Sequence, residues 1–354
     1  MAPQWVLKTG EYALKGMRWL WRWVCHQKNR FVHFLWREHL RKWFKYVFDG
    51  DYRFLKNSIN LSLYKRMPDE TFLKRQYRAA MGRELSLSAP VTLSEKLQWL
   101  KLYDRRPEYN TMVDKYAVKQ WAAARIGEEY ITPALGLWDR FDEIDFSALP
   151  DRFVLKCTHD SGSTVLIKDK NAHGAHFATR APGGKPLSKR GVKRMLKARL
   201  KRNMYYPCRE WAYRDVPPRI LAEEYLTDEG GAPFEDYRVY NFNGEPRIVQ
   251  VNYVRNSRRK RKLYTASWEW LDVALKLPSE PEHTLPRPPQ LTEMLALARR
   301  LSQGIPFVRT DFYLLGGKLR LGEMTFFPKG GYLDFDPAEW DAAFGTWLTL
   351  PGQE

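Results

Sequence analysis

Two short segments near the C-terminus constrain this chain more than any others. Phe307-Val308-Arg309-Thr310-Asp311-Phe312-Tyr313 and Leu321-Gly322-Glu323-Met324-Thr325-Phe326-Phe327-Pro328 have strand composition, and the turn Gly316-Gly317-Lys318 separates them. Each delivers one carboxylate, Asp311 or Glu323, into apolar and aromatic surroundings. A carboxylate on a sheet is costly to bury unless a cation meets it. Two on adjacent strands suggest Mg²⁺, which takes hard oxygen ligands from one or two carboxylates and from substrate phosphates. The alternative for the pair is structural salt bridging with Arg309 or Arg320.

With 354 residues the chain is long enough for two or three packed subdomains. Its formal net charge of +18 favours an anionic partner: nucleotide, nucleic acid, acidic polysaccharide or membrane surface. Cys25, Cys157 and Cys208 lie far apart and form no C-x-x-C pair. That spacing argues against a disulfide framework or a zinc site, and fits a reducing compartment. No apolar run reaches the roughly 18 residues of a spanning helix. Charges interrupt the N-terminus throughout, so no signal peptide is expected.

Residues 1–64 read as a basic, Trp-rich helical arm. Six tryptophans (Trp5, Trp19, Trp21, Trp23, Trp36, Trp43) alternate with arginines and lysines at helical spacing. A basic amphipathic helix of this kind is either interfacial at an anionic membrane surface, here through residues 1–50, or packed on its own globular domain.

Beyond the arm, Thr92–Tyr130 is mainly helical in pattern. Phe153–Cys157 and Thr164–Ile167 read as a hairpin around the polar turn Thr158–Ser163. Residues 171–187 read as a loop and 188–203 as a basic helix. Arg219–Leu226 reads as a strand, followed by an Asp228–Gly231 turn. Asp236–Phe242 and Pro246–Val251 form a hairpin through Asn243-Gly244, a strong turn signal. Residues 290–303 are an amphipathic helix. Interspersed helices and hairpins predict an α+β class with mainly antiparallel sheet. Arg255 and the run Arg258–Lys262 either hold an acidic acceptor or form a solvated loop.

Six motifs occur in one order: Asp114-Lys115-Tyr116-Ala117; Phe153–Cys157 with His159 and Ser161-Gly162; Glu223-Glu224-Tyr225; Asp236-Tyr237-Arg238; Arg309-Thr310-Asp311; and Gly322-Glu323-Met324-Thr325. In that order they resemble the TupA-like ATP-grasp family of polysaccharide and teichuronopeptide biosynthesis, over about residues 65–345. The resemblance implies an ATP-grasp fold, two α+β subdomains clasping ATP. The implied boundaries are 65–150 for an N-terminal subdomain, 151–228 for the nucleotide subdomain and 229–354 for the metal-binding subdomain.

The same resemblance assigns roles. Lys115 and Lys156 would contact nucleotide phosphates. His159, Ser161, Gly162 and Ser163 would belong to the loop closing on them. Asp160 stands there where related sequences have glycine. Glu223, Glu224, Tyr225 and Leu226 resemble the hinge that reads adenine and holds ribose. Arg238 and Arg309 would lie at the γ-phosphate, with Lys156 as the third catalytic cation. Asp311 and Glu323 would hold Mg²⁺, and Thr325 stands at the third ligand position, where asparagine is common. Lys329-Gly330-Gly331 either forms an anion-holding turn or is only a loop.

The implied activity is that of an ATP- and Mg²⁺-dependent carboxylate–amine ligase working through an acyl phosphate. Its acceptor would be a cell-envelope glycan or lipid-linked precursor, met by a cytoplasmic protein peripheral at the inner membrane. Direct phosphorylation of a lipid or glycan hydroxyl is the rival. A non-catalytic membrane adaptor is the third reading, kept open by Asp160 and Thr325. Nucleic acid ranks last, because the basic residues are scattered without a recognised module.

Overall fold

The computed structural model describes residues 40–352, apart from 41, 62, 181–183, 227–235, 256–257 and 276–281. Most of the basic arm and the Asp228–Gly231 turn therefore lie outside the described residues. The chain divides into two compact units, residues 1–57 and 58–354. In the first unit, residues 42–48 are helical and a further helix begins at Gly50.

The second unit holds two antiparallel six-stranded sheets. The first sheet is built from β1 (Ala134–Trp138), β2 (Phe153–Cys157), β3 (Val165–Ile167), β4 (Ala178–Arg180), β5 (Pro186–Leu187) and β6 (Ile220–Glu224). Their order is β1-β6-β2-β3-β4-β5. Alternation decides its faces. Phe153, Leu155 and Cys157 are buried together with Ile220, Ala222, Val165 and Ile167, and the helix Lys189–Leu200 adds Val192 and Leu196 to this core. Val154 and Lys156 point the other way. Ser188 caps that helix through a bond from Gly191 N, and its basic residues stay on the outer side.

The second sheet contains β7 (Asp236–Phe242), β8 (Glu245–Arg255), β9 (Arg258–Thr265) and β10 (Trp270–Leu271). After β11 (Ala274–Leu275) come β12 (Phe307–Leu315), β13 (Lys318–Thr325) and β14 (Phe335–Asp336). The order is β10-β9-β8-β7-β12-β13, and β11 pairs with β14 separately. Asn243 and Gly244, both at positive φ, turn β7 into β8, as the Asn-Gly signal predicts. Val239, Val249, Val251, Val308 and Phe312 form the buried face, joined by Leu291, Met294 and Leu301 of the helix Leu291–Ser302. The helices Leu93–Tyr103 and Ala117–Ile126 share this core. Thr92 and Glu95 start the former with a reciprocal capping box.

Three expectations change. Residues 171–187 carry β4 and β5 rather than a continuous loop, because β3 offers them an unpaired edge. Residues 258–262 lie in β9, paired along β8 from Arg255↔Arg258 onward, so the basic run is strand and not loop. The first sheet starts at β1 rather than at residue 151, and the helices of 93–126 pack with the second sheet instead of forming a subdomain of their own.

Candidate active site

One rung of the second sheet reads Gln250, Arg238, Asp311, Glu323 in direct register across β8, β7, β12 and β13. The next rung places Tyr240, Arg309 and Thr325 side by side. On the other side lie Arg261, Asn252, Asp236 and Tyr313. Strand side chains alternate, so these residues share the face opposite the core. Past the Asp311↔Glu323 pair the register slips: Phe312 meets Leu321, leaving Gly322 as the extra residue of a bulge. The Tyr313 ring occupies the space of a side chain there, 2.9 Å from where a Cβ on residue 322 would stand.

The polar floor is bonded from end to end. Arg309 grips Asp311 with Nε donating to Oδ1 and Nη2 to Oδ2, both at 2.6 Å. The same Nη2 is 3.2 Å from Thr325 Oγ1 and 3.5 Å from Glu323 Oε1. Arg238 Nη2 donates to Asp236 Oδ2 at 2.7 Å, and its Nε lies 3.6 Å from Asp311 Oδ2. Asn252 Nδ2 donates to Asp236 Oδ2 at 3.0 Å, and Asn252 Oδ1 receives Gln250 Nε2 and Arg261 Nε, each at 3.0 Å. Tyr240 OH donates to Gln250 Oε1 at 2.8 Å.

Lysines meet this floor from the first sheet and from the start of the helix Ala117–Ile126. Lys156 Nζ pairs with one oxygen of Glu223, and Lys119 Nζ takes the other at 2.6 Å. Lys115 donates its backbone N–H to Thr158 O at 3.1 Å and its ammonium to Asp160 O, so it braces the loop after β2. Asp114 fixes that lysine in place. It accepts Tyr116 N at 2.8 Å, starting the next helix, and holds Arg219 Nη2 at 2.9 Å.

Charge follows from this geometry. Burial alone would raise the Glu323 carboxyl, but Lys115, Arg309, Arg238 and Lys156 together hold it below the ordinary range. Lys156 of the first sheet, Lys115 from the turn before the helix Ala117–Ile126 and two arginines of the second sheet thus converge on one carboxylate. Its side chain keeps 40% of its surface exposed, against 4% for Asp311. Burial pushes Asp311 up to about 6 despite Arg309 and Arg238, which leaves it ionised at neutral pH. Glu223 is raised by burial and pulled down further by Lys156 and Lys119, with a net lowering.

Lys115, Lys156, Arg238 and Arg309 therefore gather about Glu323, with Asp311 and Thr325 beside it and Glu223 tied in through Lys156. Other residues predicted for the nucleotide do not. His159 is buried, with Nε2 3.3 Å from Arg199 O, against the helix behind the sheet. Ser163 is buried too: its Oγ accepts Cys157 N at 2.8 Å and donates to Asp160. These two side chains pin the loop from inside, because a seven-residue excursion between strands, 158–164, needs internal polar partners. Only Ser161 and Gly162 stand exposed at its tip, Gly162 at φ +81. Asp160 is turned inward, 3.5 Å from Arg199 Nη1, which removes its charge from the loop surface. Glu223 is occupied by two lysines, whereas Glu224 is exposed and Tyr225 lies under the Arg152 guanidinium at 4.5 Å. Leu226 is half-buried at the last described position before 227. Lys329-Gly330-Gly331 is a run of positive φ clamped by Gln98 Nε2 on Gly331 O at 2.8 Å and Lys101 Nζ on Gly330 O at 2.6 Å.

Sequence reasoning missed Lys119, Asp236, Tyr240, Gln250 and Asn252 as members of the site. The signal was present as alternate polar residues at 236, 238, 240 and at 250, 252.

The donor set suits Mg²⁺. Glu323 has an accessible carboxylate, Asp311 is its direct cross-strand neighbour, and each oxygen of Asp311 keeps a lone pair beyond its bond to Arg309. No cluster of three or more His, Cys, Asp or Glu side chains suited to a metal occurs among the described residues. Phosphate oxygens would complete such a site.

Three solved structures are similar in outline. D-alanine–D-alanine ligase from Bacillus anthracis, complexed with ATP, is 14% identical; 62% of this chain covers 56% of that one, with a TM-score of 0.33. The chain thus spans little more than half of that enzyme's length. The Helicobacter pylori D-alanine–D-alanine ligase is 14% identical over 72% of this chain and 69% of its own, with a TM-score of 0.35. The ATP-grasp ligase PsnB, complexed with a precursor variant, Mg and ADP, is 10% identical over 77% and 65%, with a TM-score of 0.37. No curated protein matches significantly. The family model described as TupA-like ATPgrasp matches residues 95–349, most of the chain and all of the floor just described. This chain belongs to the TupA-like ATP-grasp family.

Proposed function

We propose that the protein is an ATP-dependent ligase that joins a carboxylate to an amine through an acyl phosphate. The observation that carries this reading is the rung Arg238–Asp311–Glu323, with Lys156 of the other sheet and Lys115 of the turn before the helix Ala117–Ile126 acting on Glu323. Such a site positions a triphosphate tail and neutralises it, which is most of what phosphoryl transfer needs.

Lys115 and Lys156 hold the phosphates on the nucleotide side. Arg238 and Arg309, planar forks locked by Asp236 and Asp311, meet the γ-phosphoryl oxygens. A substrate carboxylate oxygen attacks the γ-phosphorus and ADP leaves. An amine nitrogen then attacks the acyl carbon, and phosphate leaves as the amide forms. No protein nucleophile is required. Mg²⁺, held by Asp311 and Glu323 with Thr325 beside them, would supply charge neutralisation at the phosphates.

For the substrate we propose a glycan or lipid-linked precursor of the cell envelope, met at the cytoplasmic face of the inner membrane. The described end of the basic arm supports this. Trp43 is 50% exposed and Phe48 75%, with Phe44 between them and the exposed Lys42 and Lys45 alongside. That combination suits an anionic lipid interface. No helix among the described residues is long and apolar enough to cross a membrane.

Hydroxylamine trapping tests the reaction class. The protein is incubated with Mg-ATP, hydroxylamine and a panel of amino acids and uronic acids as carboxylate donors. A ligase yields a hydroxamate in step with ADP. ADP release with a stable phosphoester and no hydroxamate would mean a kinase instead.

A further inference from the structure

Three arginines lie on the polar floor, and two of them have acidic partners of their own. Arg238 is bound to Asp236 and Arg309 to Asp311. Arg261 has no carboxylate within ion-pair distance among the described residues, and Asp236 attracts it only from beyond that reach. Its Nε donates to Asn252 Oδ1 at 3.0 Å and its Nη1 to the backbone oxygen of Leu275 at 2.6 Å. Both acceptors are neutral. A guanidinium has five N–H donors, so both on Nη2 remain unused among the described residues.

The charge is held where it is costly. Arg261 is half-buried, and burial weakens its hold on its proton; Tyr240 and, to a smaller degree, Asp236 offset this in part, while Arg238 and Arg309 repel it. Neutral clamps make the fork rigid without compensating it. A partly desolvated, preorganised and unpaired cation is stabilised most by an anion brought from outside.

Position says which anion. The nucleotide end of the floor is β13, where Lys115 and Lys156 act on Glu323. Arg261 is on β9, three strand spacings from β12, on the order of 14 Å. Arg238 stands between the two ends.

We propose that Arg261 binds an oxyanion of the second substrate, a carboxylate or phosphoryl group separate from the carboxyl that is activated, and so orients that substrate towards the γ-phosphate. The inference rests on the ligase reading for the identity of the nucleotide end. It adds that one co-substrate is an anion even after its reacting carboxylate is consumed.

Arginine-selective labelling of the whole protein with phenylglyoxal, read at each arginine by mass spectrometry, tests it. Succinate or inorganic phosphate, with or without Mg-ADP, is expected to slow Arg261 labelling about tenfold, the scale of one charge-assisted hydrogen bond. Mg-ATP alone is expected to leave that rate unchanged. Protection by succinate only assigns a carboxylate, and by phosphate only a phosphoryl group. Labelling of Arg261 that neither anion slows, or that Mg-ATP alone slows, overturns the proposal. In a second arm, Arg261→Gln should keep its calorimetric affinity for Mg-ATP and lose the thermal stabilisation that the protecting anion gives the native chain; retained stabilisation overturns it as well. Failure of the native chain to bind Mg-ATP would sink the ligase reading alone, since anion protection is measured without nucleotide.

Discussion

Lys156 and Glu223 form a buried ion pair diagonally across β2 and β6, two residues off register, since Val154 lies directly opposite Glu223 and Lys156 opposite Leu221. The second oxygen of Glu223 belongs to Lys119. Removing one lysine therefore leaves the carboxylate paired, whereas removing the carboxylate strands two cations. Lys156→Met is expected to keep most of its stability and to bind Mg-ATP about tenfold more weakly, the scale of a lost charge-assisted contact. Glu223→Ala is expected to cost about 3–5 kcal/mol of folding stability. Denaturant titration and isothermal calorimetry on both variants decide; unchanged Mg-ATP affinity in Lys156→Met would remove this lysine from the nucleotide site.

Asp311 and Glu323 are neighbours with different neighbours of their own. Both oxygens of Asp311 are held by Arg309 at 2.6 Å, while Glu323 has no bond shorter than 3.5 Å to that arginine. Glu323→Gln should leave the floor standing, lower turnover by about a hundredfold or more, and raise the Mg²⁺ concentration needed for half-maximal ADP release. Arg309→Lys should lose turnover on a similar scale, because an ammonium cannot make the paired bonds. An unaltered Mg²⁺ requirement in Glu323→Gln would argue that this carboxylate holds no metal.

Much of this floor was legible before any coordinates. Asn243-Gly244 announced the β7–β8 turn, and the two acids stood out because their flanks are apolar. Strand parity puts Asp236 on the face of Arg238 and Arg309 on that of Asp311. Register was not legible. Asp311 meets Glu323 because the bulge at Gly322 absorbs one residue, and nothing local in the sequence counts rungs. Lys119 reads as an ordinary helix lysine, and only tertiary packing carries it to Glu223. The loop after β2 misled for a related reason. Small polar residues suit both phosphate contact and internal bracing, and His159 and Ser163 do the latter here.

His159 gives a pH signature. Its ring is buried, Nδ1 has no partner among the described residues, and burial lowers its affinity for a proton more than Asp160 raises it. Below the unfolded value of about 6.5 the unfolded chain binds the proton first, so stability rises with pH through this window. The contribution is complete above that value and is lost as pH falls towards the depressed folded one. Melting temperatures measured from neutral to mildly acidic pH should fall more steeply for the native chain than for His159→Gln. Parallel curves would show that the ring titrates as it does when unfolded.

The described aromatic end of the arm makes the membrane proposal testable without the acceptor. Phe44 and Phe48 stack at 5.9 Å between centroids, and Trp43 meets Phe44 edge-on at 5.2 Å. Apolar rings left in water beside lysines gain by entering a lipid interface, and anionic headgroups add about 1 kcal/mol for each nearby cation. The full chain is expected to sediment with vesicles containing phosphatidylglycerol and to be released by high salt. Replacing Trp43 and Phe48 together by serine should weaken this binding about tenfold or more, with Mg-ATP affinity unchanged. Equal sedimentation of the native and doubly substituted chains would separate the aromatic cluster from lipid, and no sedimentation of either would end the membrane proposal while leaving the ligase chemistry intact.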